Sequence, residues 1–163
     1  MLTRPRAIGL TLGLALLLAG IDQSVKWLVV RNYALGEPHT VLPGILDLRL
    51  AYNTGAAFSL MRNAKPEVLL SLSLGVLVLF AILVWPHLAR KSGVAAAALI
   101  IGGAIGNLVD RARLHYVVDY LDFHVWPVFN IADSCVVIGV FVLVLIVLRA
   151  EARSSPPTEG NTP

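Results

Sequence analysis

Residues 68–85 read VLLSLSLGVLVLFAILVW, an apolar run without one charged side chain, and Pro86 closes it. A helix needs roughly 20 such residues to cross the hydrocarbon of a bilayer. Three similar blocks surround it, at about 8–30, 93–109 and 130–148. The chain of 163 residues is 57% hydrophobic and only 14% charged, against about 45–50% and about 25% in a soluble domain. The excess lies in the blocks, which is the layout of a polytopic membrane protein. Backbone groups in hydrocarbon must satisfy one another, so each block is expected to be helical. The fold class expected is therefore all-α and polytopic, with four transmembrane helices.

The first block also has features of a cleaved leader: Arg4 and Arg6 in front, and small residues at Ala19-Gly20. Its apolar character continues through Trp27 to Val30, however, which is long enough to span. Between the first and second blocks, residues 31–67 differ in character. Leu46, Leu48, Leu50 and Tyr52 alternate with Asp47, Arg49, Ala51 and Asn53. That period of two predicts a strand with one wet face, and Pro43-Gly44 before it marks a turn. A small sheet outside the hydrocarbon is expected there. Residues 1–153 form one membrane-embedded unit in this reading. Residues 154–163 are Ser, Pro, Thr, Glu, Gly and Asn, have nothing to bury, and read as a disordered tail.

The net charge is +3, and its basic residues lie at helix ends rather than in a patch, so no nucleic-acid partner is expected. Lys and Arg divide evenly between the two sides of the four spans. The short Arg90-Lys91 loop, with no acid nearby, points to cytoplasmic termini. Cys135 is the only cysteine, which excludes an internal disulfide and a thiolate metal site. His39, His87, His115 and His124 are scattered, with no pair at zinc-protease spacing.

Polar groups near membrane spans are costly, by about 2.5–3.5 kcal/mol for a central charge. Here they cluster. Asp22 and Lys26 are four apart on one helix face, as an ion pair or a membrane-edge anchor whose lysine snorkels outward. Asn53, Thr54 and Gly55 follow the strand, as a turn or as a loop able to hydrogen-bond an extended peptide. Gly102 and Gly106 allow a neighbouring helix to approach. Asn107 and Asp110 share a face just beyond, and Asp110-Arg111 suits a structural pairing as well as it suits catalysis.

Asp119 sits in Val117-Val118-Asp119-Tyr120, and Asp133 in Phe129-Asn130-Ile131-Ala132-Asp133-Ser134. Asn130 and Asp133 are three apart, and the insert around Trp126-Pro127 lets the chain fold back to bring Asp119 opposite Asp133. Two adjacent carboxylates do not readily ionise together, so one serves as acid and the other as base. Spacing alone also allows Asp119 to be a solvated loop acid and Asp133 a helix-start residue.

Taken together, these motifs resemble the lipoprotein signal peptidase family, also called signal peptidase II. The resemblance spans nearly the whole chain in order: Asp22 to Lys26, Tyr52 to Phe58, Gly102 to Asn107 with Asp110-Arg111, Val118 to Tyr120, and Phe129 to Ser134. It implies a bacterial inner-membrane aspartyl endopeptidase with Asp119 and Asp133 as its catalytic dyad. Asp22, Lys26, Asn53, Gly55, Asn107, Asp110, Arg111 and Asn130 are implied as supporting or substrate-contacting residues. The implied substrate is a diacylglyceryl-modified prolipoprotein, cut just before the lipidated cysteine. A monomer in contact with membrane lipid is expected, and the resemblance implies no metal or organic cofactor. Its sheet would be extracytoplasmic, between helices 1 and 2, and its termini cytoplasmic. Tyr120 departs from the family pattern, where Phe is usual. Two other classes remain on the residues alone. A small transporter would use intramembrane Asp and Lys, but no inverted repeat is evident. A non-catalytic scaffold would bind the same precursors without cutting them.

Overall fold

The computed structural model describes residues 1–54 and 66–154. Within these, four helices are long and apolar enough to cross a membrane: α1 (Arg4–Asn32), α2 (Pro66–Val84), α3 (Lys91–Leu114) and α4 (Ile131–Ser154). α1 and α3 extend past both ends of their apolar blocks, because hydropathy marks only the lipid-facing length. α2 gives way at Trp85–His87 to a single 3-10 turn. Pro86 has no amide hydrogen to continue the helical ladder there. Gly55 and the residues after it to position 65, and the tail from residue 155, lie outside the described residues.

α3 is the central helix and packs against each of the other three. Its sequence explains this. Gly102, Gly103 and Gly106 let two neighbours approach closely. A Cβ on Gly102 would lie 2.8 Å from the Ala15 carbonyl oxygen of α1. One on Gly103 would collide with the Ala132 carbonyl oxygen of α4 and lie 2.9 Å from Val136. Gly103→Ala must therefore separate α3 from α4. It is expected to destabilise by about 1–3 kcal/mol, as overpacking does. A lower thermal midpoint in detergent would show it, and an unchanged midpoint would mean α4 moves freely.

Three strands form an antiparallel sheet in the order β1 (Pro38–Leu42), β2 (Leu46–Asn53), β3 (Val117–Asp122). The Pro43-Gly44 turn joins β1 to β2, with Ile45 N donating to Leu42 O at 3.0 Å. Gly44 has φ +72°, the left-handed value this turn requires after proline. β1 and β2 lie between α1 and α2, where a sheet is expected. The third strand comes instead from the connection between α3 and α4. Buried Val29, Leu50, Val118 and Tyr120 fasten the sheet to the end of α1.

The alternation in β2 does not run through unbroken. Leu48 pairs with Leu121, and Ala51 with Asp119, so Arg49 and Leu50 together oppose Tyr120. This bulge reverses the phase of everything after it. Without it, Asn53 would fall in phase with Asp47 and Asp122. With it, Asn53 stands on the face that carries Asp119.

Candidate active site

The N-terminus of α4 organises the site. Asn130 precedes its first turn and accepts a hydrogen bond from Asp133 N at 2.8 Å through Oδ1. Asp133 Oδ2 accepts from Asn130 N at 3.2 Å in return. This is a reciprocal capping box with Asn and Asp in the usual places of Ser/Thr and Glu/Gln. Asn130 is fully buried. Its side-chain amide then reaches beyond its own helix, donating to Asp119 Oδ1 at 2.7 Å and Asn107 Oδ1 at 3.0 Å. One residue thus contacts both carboxylates, Asp119 through its side chain and Asp133 through its backbone and cap. The chain does fold back between them. Leu121 and Phe129 form an antiparallel bridge that closes the neck of the intervening loop.

Asp119 lies in β3 and is 2% exposed. Its second oxygen accepts from Asn53 Nδ2 at 3.0 Å, the contact that the β2 bulge makes available. Burial, with Asp133 adding its negative charge, pushes the Asp119 carboxyl up to about 7. Asp133 is part-buried, and its Oδ1 accepts from Asn107 Nδ2 at 2.7 Å. Each carboxylate oxygen accepts one of these bonds and keeps a lone pair for water or a proton.

Beneath the pair is a buried charge cluster. Lys26 Nζ lies 2.8 Å from Asp22 Oδ2, 2.9 Å from Asp110 Oδ2 and 3.0 Å from Asn107 Oδ1. Asp22 is 1% and Lys26 3% exposed, so the lysine is no outward-reaching anchor. Asp110 pairs with this lysine rather than with an arginine. It also accepts from Val118 N at 3.1 Å and Gln23 Nε2 at 2.8 Å, which ties the start of β3 to α3 and α1. Lys26 and Asn130 together occupy the Asn107 carbonyl oxygen, which turns the Asn107 amide toward Asp133.

Arg111 stands apart from this web. It lines a cavity of about 330 Å³ between α2, α3 and α4, together with Asn107, Asp133 and apolar residues of α2. Its Nε is buried with no hydrogen-bond partner among the described residues. A second cavity of about 580 Å³ lies under the loop before α4, lined by Phe123, Trp126, Phe129, Asp133 and Val137. Asp133 faces both. Gly55 falls outside the described residues, while the other sequence-selected residues gather here. Sequence reading did not select Gln23 or the Tyr120 hydroxyl, which accepts from Ile131 N at 3.4 Å. Nor did it select the Arg49–Asp122 ion pair at the far end of the sheet. Gln23 adjoins Asp22 in the motif, and Tyr120 stands where the resemblance leads one to expect Phe. Those were the available signals. Among the described residues, no three His, Cys, Asp or Glu side chains group as metal ligands would.

Comparison with known proteins agrees with this architecture. A lipoprotein signal peptidase of Halothermothrix orenii is 41% identical over 133 residues, covering 80% of this chain and 90% of its own. One from a Nostoc species is 44% identical over 147 residues, covering 88% and 89%. A solved bacterial membrane enzyme superposes with a TM-score of 0.73 at 25% identity, over 91% of this chain and 93% of that one. The chain is thus a multi-pass membrane protein. The sequence model of the signal peptidase (SPase) II family matches residues 14–149, and this chain belongs to that family.

Proposed function

We propose that this protein removes signal peptides from diacylglyceryl-modified prolipoproteins, cutting just before the lipidated cysteine. Asp119 and Asp133 activate the water in this reading. The observation that carries it is the contact of Asn130 with both carboxylates, at the start of a membrane-spanning helix in a chain of this family. A substrate anchored by acyl chains stays in the bilayer, so its protease must present polar chemistry at membrane depth. The two largely apolar cavities that meet at Asp133 suit the apolar parts of such a substrate. Asn53 and Arg111 hold the peptide around the cut in this reading. The protein acts as a monomer in the bacterial inner membrane without a cofactor. Its termini are cytoplasmic, and the sheet and dyad face the opposite side.

The mechanism follows from the unequal settings of the two acids. Asp119 keeps its proton up to about pH 7. Ionised Asp133 takes a proton from water as it attacks the peptide carbonyl. Protonated Asp119 donates to the carbonyl oxygen; as the C–N bond breaks, Asp133 passes the proton it took from water to the leaving amine, and Asp119 recovers its own as the carbonyl re-forms. Because the pair shares these protons, the apparent values belong to both. As pH rises through about 7, Asp119 loses the proton it must donate. kcat/KM is therefore expected to fall on the alkaline side with an apparent pKa near 7. A flat profile from about pH 6 to 8.5 would show that this proton is not used.

The founding test is cleavage of a diacylglyceryl-modified prolipoprotein by the purified protein in detergent, read by gel shift. Release of the signal peptide supports the proposal. No cleavage by folded protein, with an active positive control, would favour the scaffold or transport classes.

A further inference from the structure

The first turn of a helix has amide donors with no partner inside the helix. In α4 they are taken up by separate elements. Ile131 N donates to the Tyr120 hydroxyl of β3 at 3.4 Å. Ala132 N donates to Asp22 Oδ1 of α1 at 3.0 Å. Asp133 N donates to Asn130 Oδ1 at 2.8 Å. A residue 110 positions earlier in the chain thus caps the helix that carries Asp133. Its route is open only because α3 has glycine where the path crosses. A Cβ on Gly106 would lie 2.6 Å from Asp22 Oδ2 and 3.2 Å from the Ala132 Cβ.

We propose that Asp22 is a positioning residue for Asp133, acting as a cap on α4 supplied from α1 through the gap at Gly106. This rests on the reading of Asp133 as catalytic. Asp22 touches no reacting atom. It sets the depth and rotation of the first turn of α4, and hence the place of the Asp133 carboxylate relative to Asp119. Lys26 holds the other Asp22 oxygen at 2.8 Å, so the carboxylate is fixed at both ends.

Three variants separate capping from charge balance. Asp22→Ala removes the acceptor while Lys26 keeps Asp110 as its partner. Asp22→Asn keeps an oxygen for Ala132 N and removes the charge and the acceptor that face Lys26. Gly106→Ala keeps the aspartate but drives its carboxylate aside, the new methyl group pressing on Asp22 Oδ2 and on the Ala132 Cβ. Each is purified in detergent, with kcat and KM measured on folded protein and amide exchange followed at residues 131–134. Asp22→Ala and Gly106→Ala are expected to lose roughly a hundredfold in kcat, the scale for a misplacement of about 1 Å, with KM little changed. Both should lose exchange protection at Ala132. Asp22→Asn is expected to retain protection and most of kcat. Wild-type kcat in folded Asp22→Ala would overturn the proposal. So would an Asp22→Asn variant that keeps protection at Ala132 yet is as impaired as Asp22→Ala, since the bond to Lys26 rather than the cap would then matter. A failure of the functional reading looks different, because Asp133→Asn would then cleave like the wild type. In that case exchange at Ala132 alone decides whether the cap exists.

Discussion

Asp119→Asn and Asp133→Asn are each expected to abolish cleavage, by at least about a thousandfold, within the range for removing a general acid or base. Asparagine keeps the size of the side chain and an oxygen for one of the two bonds each carboxylate accepts, from Asn130 or Asn53 at position 119 and from Asn107 or Asn130 N at position 133. The side chain is thus held in place while the ionisable group is lost. The two variants should differ in stability, and this makes the test sharper. The Asp119 carboxyl is raised from 3.8 to about 7, chiefly by burial. The folded chain therefore binds this proton more tightly than the unfolded chain. The stability so gained is complete below about 3.8 and is lost as pH rises through about 7. Above that pH a buried charge faces the charge of Asp133. Asp119→Asn removes it, so its thermal midpoint at about pH 8 should equal or exceed that of the wild type while its activity vanishes. A variant both inactive and much less stable would mean Asp119 is needed for folding. Clear residual turnover in a folded variant would take that residue out of the dyad.

Much of this fold could be read in advance, since lipid imposes a simple rule on sequence. Long apolar runs had to become helices, and the four blocks did. The alternation from Leu46 to Asn53 likewise announced β2. The bulge at Arg49-Leu50 was hidden, because a change of register against a distant strand leaves no local mark. β3 was hidden for a related reason. Val117–Asp122 is buried on both faces, and its two acids disguise a strand that lacks a wet side. Its pairing partner lies in a different inter-helix segment. Within the site, the cost of polar groups near hydrocarbon singled out Asp22, Lys26, Asp110, Asp119 and Asp133. Their partnerships were less legible. Asp110 meets Lys26 because the glycines of α3 bring α1 close, and Asn130 meets Asp119 because β3 returns beside α4. The capping pattern from Asn130 to Asp133 was local and readable as a shared face. Its amide contact with Asp119 is tertiary.

The same web predicts that Lys26→Met costs more stability than any other single change in the cluster. Lys26 is the only cation within ion-pair distance of Asp22 and Asp110 among the described residues, at 2.8 and 2.9 Å. Methionine fills the space of the stem but leaves two buried carboxylates without a counter-charge. Breaking a buried pair in this way typically costs about 3–5 kcal/mol. The thermal midpoint in detergent should fall accordingly. Adding Asp110→Asn to Lys26→Met should restore part of the loss, because one unpaired charge is removed with it. This non-additivity separates a charge imbalance from lost packing. If the double variant is as unstable as the sum of the singles, lost packing accounts for the effect. The change should also reach the dyad. The positive charge of Lys26 acts on Asp119 to hold its carboxyl lower than burial and Asp133 would leave it. In folded Lys26→Met, the Asp119 proton is therefore retained to higher pH, and the alkaline limb of kcat/KM should move upward. Destabilisation alone would leave that limb where it is. An upward shift would thus tie the buried lysine of α1 electrostatically to the carboxyl in β3.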